Sequence, residues 1–263
     1  MLPLDEWPIA ARRRVAGVFT DIDDTLTTDG AITTDALQAL GNLKAAGLRV
    51  VPITGRPVGW SEPFAASWPV DAIVAENGAV ALQRDGTGQG LRKFYQQDAF
   101  TREANFARMQ AVARRVLQEV PGATMAEDSP GRECDIAIDH SEFTHLPQGD
   151  IARAVAIMQS EGMNATVSSI HINGWFGAHN KLEGARWIVR ELYGRVLDDE
   201  LESWVYVGDS TNDQLMFAHF EQSFGVANIS RFLAALKEKP RYVTPGARGA
   251  GFAQVAAAIL AAR

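Results

Sequence analysis

The segment TDIDDTLTTDG, residues 20–30, sets Asp21, Asp23, Asp24 and Asp29 directly after the apolar run VAGVF. Carboxylates this close repel one another, and each prefers water to a buried strand end. Three more apolar runs end in groups that suit ions: Thr54-Gly55-Arg56 within ITGR, Glu76-Asn77-Gly78, and Gly208-Asp209, which opens GDSTND and leads to Asp213. Lys181 opens the helical pattern before the last of these. Gathered at one edge, Asp21, Asp23, Asp209 and Asp213 would need a cation among them. An all-oxygen ligand set suits Mg²⁺, a small hard ion that keeps several waters. The lone Cys134 and scattered histidines do not suit a zinc site. Phosphoryl transfer is the chemistry that such a set serves, because its loose transition state spreads charge that catalysis must neutralise and position.

A parallel sheet would bring these segments together. VAGVFT (15–20) predicts a buried strand, and TDALQALGNLKAAG (34–47) a helix closed by Gly47. LRVVPIT and DAIVAE read as the next two strands. Late in the chain KLEGARWIVRELYG (181–194) predicts a helix, SWVYVGD (203–209) a strand and TNDQLMFAHF a helix. QSFGVA, a helix over RFLAALKE, RYVT and a helix near 251–261 continue the alternation. Continuous apolar strands separated by helices indicate an α/β fold, a Rossmann-like parallel sheet covered on both faces. Ligands of such sheets bind beyond the carboxyl ends of the strands, where the acids lie. Asp29-Gly30 predicts a hairpin turn.

Between the two stretches the texture changes. DGTGQG (85–90) is a turn-rich break, followed by a helix near 98–119, an alternating strand ECDIAIDH, a helix near 149–161 and the strand pair ATVSS and IHIN. This predicts an inserted α+β cap domain. The expected organisation is a core formed by 1–84 and 176–263, interrupted by a cap over 85–175. In IHIN, His171 and Asn173 fall on one strand face, with Ile170 and Ile172 on the other.

DIDDT, ITGR, a lysine before a helix, and GDSTND, in that order, resemble the four motifs of the haloacid dehalogenase superfamily of phosphohydrolases. The inserted α+β unit is similar to the cap of its Cof-like branch, which includes sucrose-phosphate and mannosyl-phosphoglycerate phosphatases and the phosphomannomutases. The resemblance implies that Asp21 is a nucleophile forming an aspartyl-phosphate, and that Asp23 is the general acid and base. It gives Thr54, Gly55 and Asn77 to the phosphate, and Lys181 to both nucleophile and phosphate. Asp209 becomes a metal ligand and Asp213 an acid that completes or supports a Mg²⁺ site with Asp21 and Asp23. Thr25 is expected to brace the loop, and Asp24 has no implied chemical role. Arg132, before a cap strand, with His171 and Asn173, forms the expected substrate-facing set of the cap.

The implied activity is Mg²⁺-dependent hydrolysis of a small phosphorylated metabolite, with a sugar phosphate as the expected class. A phosphosugar mutase shares nucleophile, metal and cap type, and a non-catalytic phosphosugar sensor would share the fold. The formal charge of −7 speaks against nucleic acid and anionic membranes as partners. One cysteine in 263 residues rules out an internal disulfide framework, so a cytoplasmic setting is expected. MLPLDEWPIA lacks an apolar signal core, and no apolar run approaches the roughly 20 residues of a membrane span. Cys134 reads as a small buried thiol, Trp175 and Phe176 as hinge packing, and Arg56 as a substrate contact or a surface ion pair. Neither GTGQG nor any other segment has the spacing of a nucleotide-binding glycine loop. Sequence leaves the oligomeric state open.

Overall fold

The computed structural model describes residues 1–86 and 90–263. The middle of the glycine-rich run, residues 87–89, lies outside the described residues. Among the described residues a six-stranded parallel sheet runs Leu2–Pro3, Tyr242–Val243, Ser223–Gly225, Trp204–Gly208, Gly17–Thr20 and Arg49–Pro52. The strand Gly17–Thr20 is fully buried, flanked by Trp204–Gly208 on one side and Arg49–Pro52 on the other. Its next strand in sequence lies to one side and its later partners to the other. That reversal is where doubly wound sheets open a crevice at their strand ends.

Two apolar clusters cover the sheet. Leu40 and Leu43 of the helix Thr34–Ala45 join Phe252 and Val255 of the helix Arg248–Leu260 on one face. Ala185, Ile188 and Val189 of the helix Lys181–Tyr193 join Trp204 and Phe217 on the other. Strand Ile73–Ala75 extends the sheet through the parallel bridge Ile53–Val74 and heads a meander with Val80–Arg84 and Leu91–Tyr95. Thr27–Thr28 and Ala31–Ile32 form the expected hairpin, with Asp29 and Gly30 at φ 50° and 78°, the left-handed pair of a type I′ turn.

A third cluster, from Met109 to Phe176, is separate from these two. The helices Ala99–Glu119 and Gln148–Ser160 pack on a four-stranded antiparallel sheet, Asn164–Val167, His171–Trp175, Ile136–Asp139 and Thr124–Met125. Ile138 and Ile172 point to those helices, while Asp135, Ala137, Asp139, His171 and Asn173 share the opposite face. Trp175 and Phe176 belong to this cluster, so they are cap core and not hinge packing. Cys134 is buried, and burial pushes its thiol well up.

Two features differ from expectation. RFLAALKE forms no α-helix: a 3-10 helix spans Ala227–Phe232 and turns follow it. Asn228, in the 3-10 turn ahead of that segment, donates to the Asp24 carbonyl and to Asp209 Oδ2. The two-residue edge strand Leu2–Pro3 had no sequence signal, because its partner Tyr242–Val243 lies at the other end of the chain. No helix among the described residues is long and apolar enough to cross a membrane.

Candidate active site

Asp21 is the first residue beyond the central strand, and its N–H donates to the Val207 carbonyl at 2.8 Å. Asp209 follows the neighbouring strand directly. Asp21 and Asp209 therefore leave adjacent parallel strands at one edge, and Asp213 returns to it from the 3-10 turn Thr211–Asp213. Oxygens of all three acids lie within 4.8 Å of one another, and all three side chains are buried. Lys181, at the start of a helix capped by the Asn180 side chain, reaches in with Nζ 2.6 Å from Asp21 Oδ1 and 2.7 Å from Asp213 Oδ1.

These carboxylates are served unequally. Asp213 Oδ1 also accepts the Tyr206 hydroxyl at 2.5 Å, and Oδ2 accepts the N–H groups of Asp209 at 2.9 Å and Ser210 at 3.1 Å. Asp209 Oδ2 accepts Asn228 Nδ2 at 3.0 Å, but its Oδ1 is buried with no hydrogen-bond partner. A buried carboxylate oxygen left this way is costly in an otherwise packed site. Burial pushes the Asp21 carboxyl up to about 7, with Lys181 pulling it back and Asp213 and Asp23 adding to the rise. Burial, then repulsion from Asp21 and Asp213, raises Asp209 well above the ordinary range. The Lys181 ammonium, which burial alone would disfavour, is held charged by Asp21 and Asp213. Three acids facing one lysine fit a small hard cation, which would relieve the unpartnered oxygen and the repulsion together.

Asp23 does not join that group of three. Its carboxylate accepts Arg56 Nε at 3.1 Å and lines the same crevice as Asp21. Arg56 is buried, pairs also with Asp128 at 3.2 Å and Glu142 at 2.9 Å, and lies over Trp60. It is thus a buried junction between core and cap, and not a surface ion pair. Thr54 is buried, its hydroxyl accepting the Arg56 N–H at 3.0 Å. Asn77 holds Thr54 in place through its own N–H to the Thr54 carbonyl at 2.9 Å, from a left-handed backbone at φ 54°. Gly78 completes this turn at φ 108°, where a Cβ would collide with the Asn180 carbonyl ahead of Lys181. Gly55 lies against the Asn77 amide.

The three cap residues face the core and are each occupied. Arg132 donates to the Gly55 carbonyl at 3.0 Å and to Asp135 at 2.7 Å. Asn173 donates to Asp135 and to the Gly55 carbonyl at 3.3 and 3.4 Å. His171 Nε2 lies 2.7 Å from Glu142. All three are buried, because the cap sheet turns this face onto the core and not to solvent. Ser168, Ser169 and Ile170, in the turn before His171, close the crevice over Asp21 and Asp23 to about 10 Å³. That is room for about one water.

Sequence reasoning placed Glu76 at a strand end without its buried role, and missed Asn228. Glu76 is buried at φ 49°, and its carboxylate accepts N–H groups of Val58 in the core and of Glu133, Cys134 and Asp135 in the cap, at 2.5–3.2 Å. An acid just before an Asn-Gly turn carries no signal of burial. Asn228 follows the strand Ser223–Gly225, and strand-end placement was its only signal. Among the described residues the Thr25 hydroxyl has no hydrogen-bond partner. Thr27 braces the loop, accepting the Asp24 N–H and donating to the Ile22 carbonyl, both at 3.2 Å.

Comparison with known proteins agrees with this arrangement. Residues 18–110, which carry the first two motifs, match the family model of haloacid dehalogenase-like hydrolases. No curated protein sequence matches the chain significantly. Among solved structures, Thermoplasma acidophilum 0175 shares 17% identity at a TM-score of 0.71, over 94% of this chain and 98% of that one. The sucrose-phosphatase of Synechocystis sp. PCC6803, solved with sucrose and phosphate, shares 13% identity at 0.65, over 94% and 98%. A subclass IIB sugar phosphatase of the HAD superfamily shares 16% identity at 0.61, over 88% and 94%. At these identities the likeness is one of fold, and it spans core and cap together.

Proposed function

We propose that this haloacid dehalogenase-like hydrolase is a Mg²⁺-dependent phosphatase of a small phosphorylated metabolite, a sugar phosphate in the first instance. The observation that carries the reading is the buried Asp209 Oδ1, which has no hydrogen-bond partner among the described residues, beside an Asp21 paired with Lys181. Buried carboxylate oxygens in structural clusters are as a rule hydrogen-bonded. The solved sugar phosphatases of the same fold add support for the substrate class.

Asp21 and Asp209 would hold the ion, with Asp213 behind them fixing Lys181 and the Asp209 backbone. When bound, Mg²⁺ neutralises charge on the phosphoryl oxygens. The chain's own residues do the rest. An Asp21 oxygen attacks phosphorus as the ester oxygen–phosphorus bond breaks, and Asp23 gives its proton to the leaving oxygen. Asp23, now a carboxylate, takes a proton from water as that water attacks the aspartyl-phosphate. Orthophosphate leaves and Asp21 is restored. Thr54, Gly55 and Asn77 offer the phosphate a hydroxyl and a tight turn, and Lys181 offsets its charge throughout. Cap closure expels water while the intermediate forms. The cap's Arg132, His171 and Asn173 hold the closed geometry through Gly55, Asp135 and Glu142.

A phosphometabolite panel assayed for orthophosphate, with and without EDTA, tests this. The reading requires Mg²⁺-dependent orthophosphate release that disappears in Asp21→Asn. Conversion of a sugar phosphate to its isomer without orthophosphate would make the protein a mutase. Binding without turnover would make it a sensor.

A further inference from the structure

Two cavities adjoin the catalytic crevice, and only one of them touches the proposed acid. A cavity of about 400 Å³ beside Lys181 and His179 shares Asn212 with the crevice and does not reach Asp23. The other, of about 390 Å³, shares Asp23, Arg56, Ser169 and Ile170 with it. A leaving oxygen must lie within hydrogen-bond reach of the group that protonates it. The leaving group therefore extends into the cavity on the Asp23 side.

The walls of that cavity have a definite charge. Four carboxylates line it, of Asp23, Asp24, Asp29 and Glu142, against the two guanidinium groups of Arg56 and Arg248. Both cations are already engaged: Arg56 by Asp23 and Glu142 at 3.1 and 2.9 Å, Arg248 by Asp24 and Asp29 at 2.9 and 3.6 Å. With Asp23 protonated as the general acid, the carboxylates of Asp24, Asp29 and Glu142 still outnumber the two guanidinium groups. Hydrogen bonds from His171 and Arg56 outweigh burial and hold the Glu142 carboxyl down to about 2, so it stays ionised. The loop bearing it is rigid, because the Asp139 carboxylate accepts the N–H groups of residues 141–144 at 2.9–3.0 Å. The same loop presents Phe143, 67% exposed, at the cavity wall.

Resting on the phosphatase reading above, we propose that this cavity selects hydroxylated leaving groups that are uncharged or cationic, such as an amino sugar, and rejects those with a second anion. Carboxylates accept hydroxyl and ammonium hydrogens, and Phe143 can stack on a sugar face. A carboxylate or second phosphate on the leaving group would meet a wall in which carboxylates are in excess, the repulsive half of specificity.

Glucosamine 6-phosphate, glucose 6-phosphate and 6-phosphogluconate carry the same ester on leaving groups of rising negative charge. Each is assayed near neutral pH as a substrate and as a competitor of p-nitrophenyl phosphate. The expected order of kcat/KM, or of competition, follows that sequence, with at least about tenfold between first and last. Glu142→Gln, which removes one wall charge at constant shape, is expected to narrow the span about threefold or more. Asp29→Asn at the rim should narrow it less. Equal values, a preference for 6-phosphogluconate, or no competition by any of the three would overturn the proposal. If that happens while p-nitrophenyl phosphate is still hydrolysed through Asp21, the phosphatase reading survives and the selectivity alone falls. Failure to release phosphate from all four compounds would overturn both.

Discussion

Two groups of buried acids lie a short distance apart in this fold, and they are finished differently. In the seam between core and cap, both oxygens of Glu76 accept backbone N–H groups, and Asp135 is met by Arg132 on one oxygen and by Asn77 and Asn173 on the other. At the strand ends, Asp21 is paired with Lys181, and among the described residues Asp209 keeps a bare oxygen. Burial opposes charge in both places, so burial alone does not mark a functional site. What separates them is satisfaction. A buried carboxylate with its donors in place is a tie, whereas one without them is built for something that arrives later.

The comparison can be broken from either side. The largest effect is expected at Asp21→Asn, which should lower Mg²⁺-dependent turnover of p-nitrophenyl phosphate by at least about a thousandfold. Its thermal midpoint without metal should equal or exceed that of wild type, since the amide relieves repulsion from Asp209 and Asp213. A variant within tenfold of wild-type activity would remove Asp21 as nucleophile. On the seam side, Glu76→Gln replaces an acceptor with an amide N–H that faces other donors. Urea unfolding should show a loss of about 1–3 kcal/mol that added Mg²⁺ does not restore. An unchanged midpoint would mean that the seam is not the tie described.

A third effect lies in pH. Burial raises Asp21 from 3.8 to about 7, so over that interval the folded chain holds a proton that the unfolded chain releases. Its contribution is full below the lower value and is lost as pH rises through the upper one. Metal-free protein should therefore lose stability relative to Asp21→Asn across this window, and Mg²⁺ should raise the thermal midpoint more at about pH 8 than at about pH 5. An equal shift at both would separate the ion from Asp21. The smallest effect is expected at His179, which burial pushes from 6.5 down to about 4. There the folded state lacks a proton that the unfolded state holds, so its contribution is present above 6.5 and lost as pH falls through about 4. The stability difference between wild type and His179→Phe should move against wild type on acidification, and a flat difference would contradict burial of a neutral ring.

The strand-end acids were legible in sequence because each follows an apolar run, and a parallel sheet gathers such ends whatever the intervening chain does. The Asp29-Gly30 hairpin was legible because its turn needs two left-handed residues. The buried role of Glu76 was not, since nothing local distinguishes an acid that will be capped by N–H groups some 57 residues further on. Arg56 was left open between two roles for the same reason: its partners Asp128 and Glu142 belong to the cap. In IHIN, the period of two placed His171 and Asn173 on one face. It could not say that the core would cover that face and give those side chains to the seam.

Magnesium binding to Asp209→Asn is the most direct test of the distinction between ties and sites. Titration calorimetry and thermal unfolding on the same samples should show that wild type binds Mg²⁺ and is stabilised by it. The variant should bind at least about tenfold more weakly while being no less stable than metal-free wild type. Undiminished Mg²⁺ binding, or a metal-free variant clearly less stable than wild type, would show that the bare oxygen of Asp209 belongs to the fold's own bonding and not to an ion.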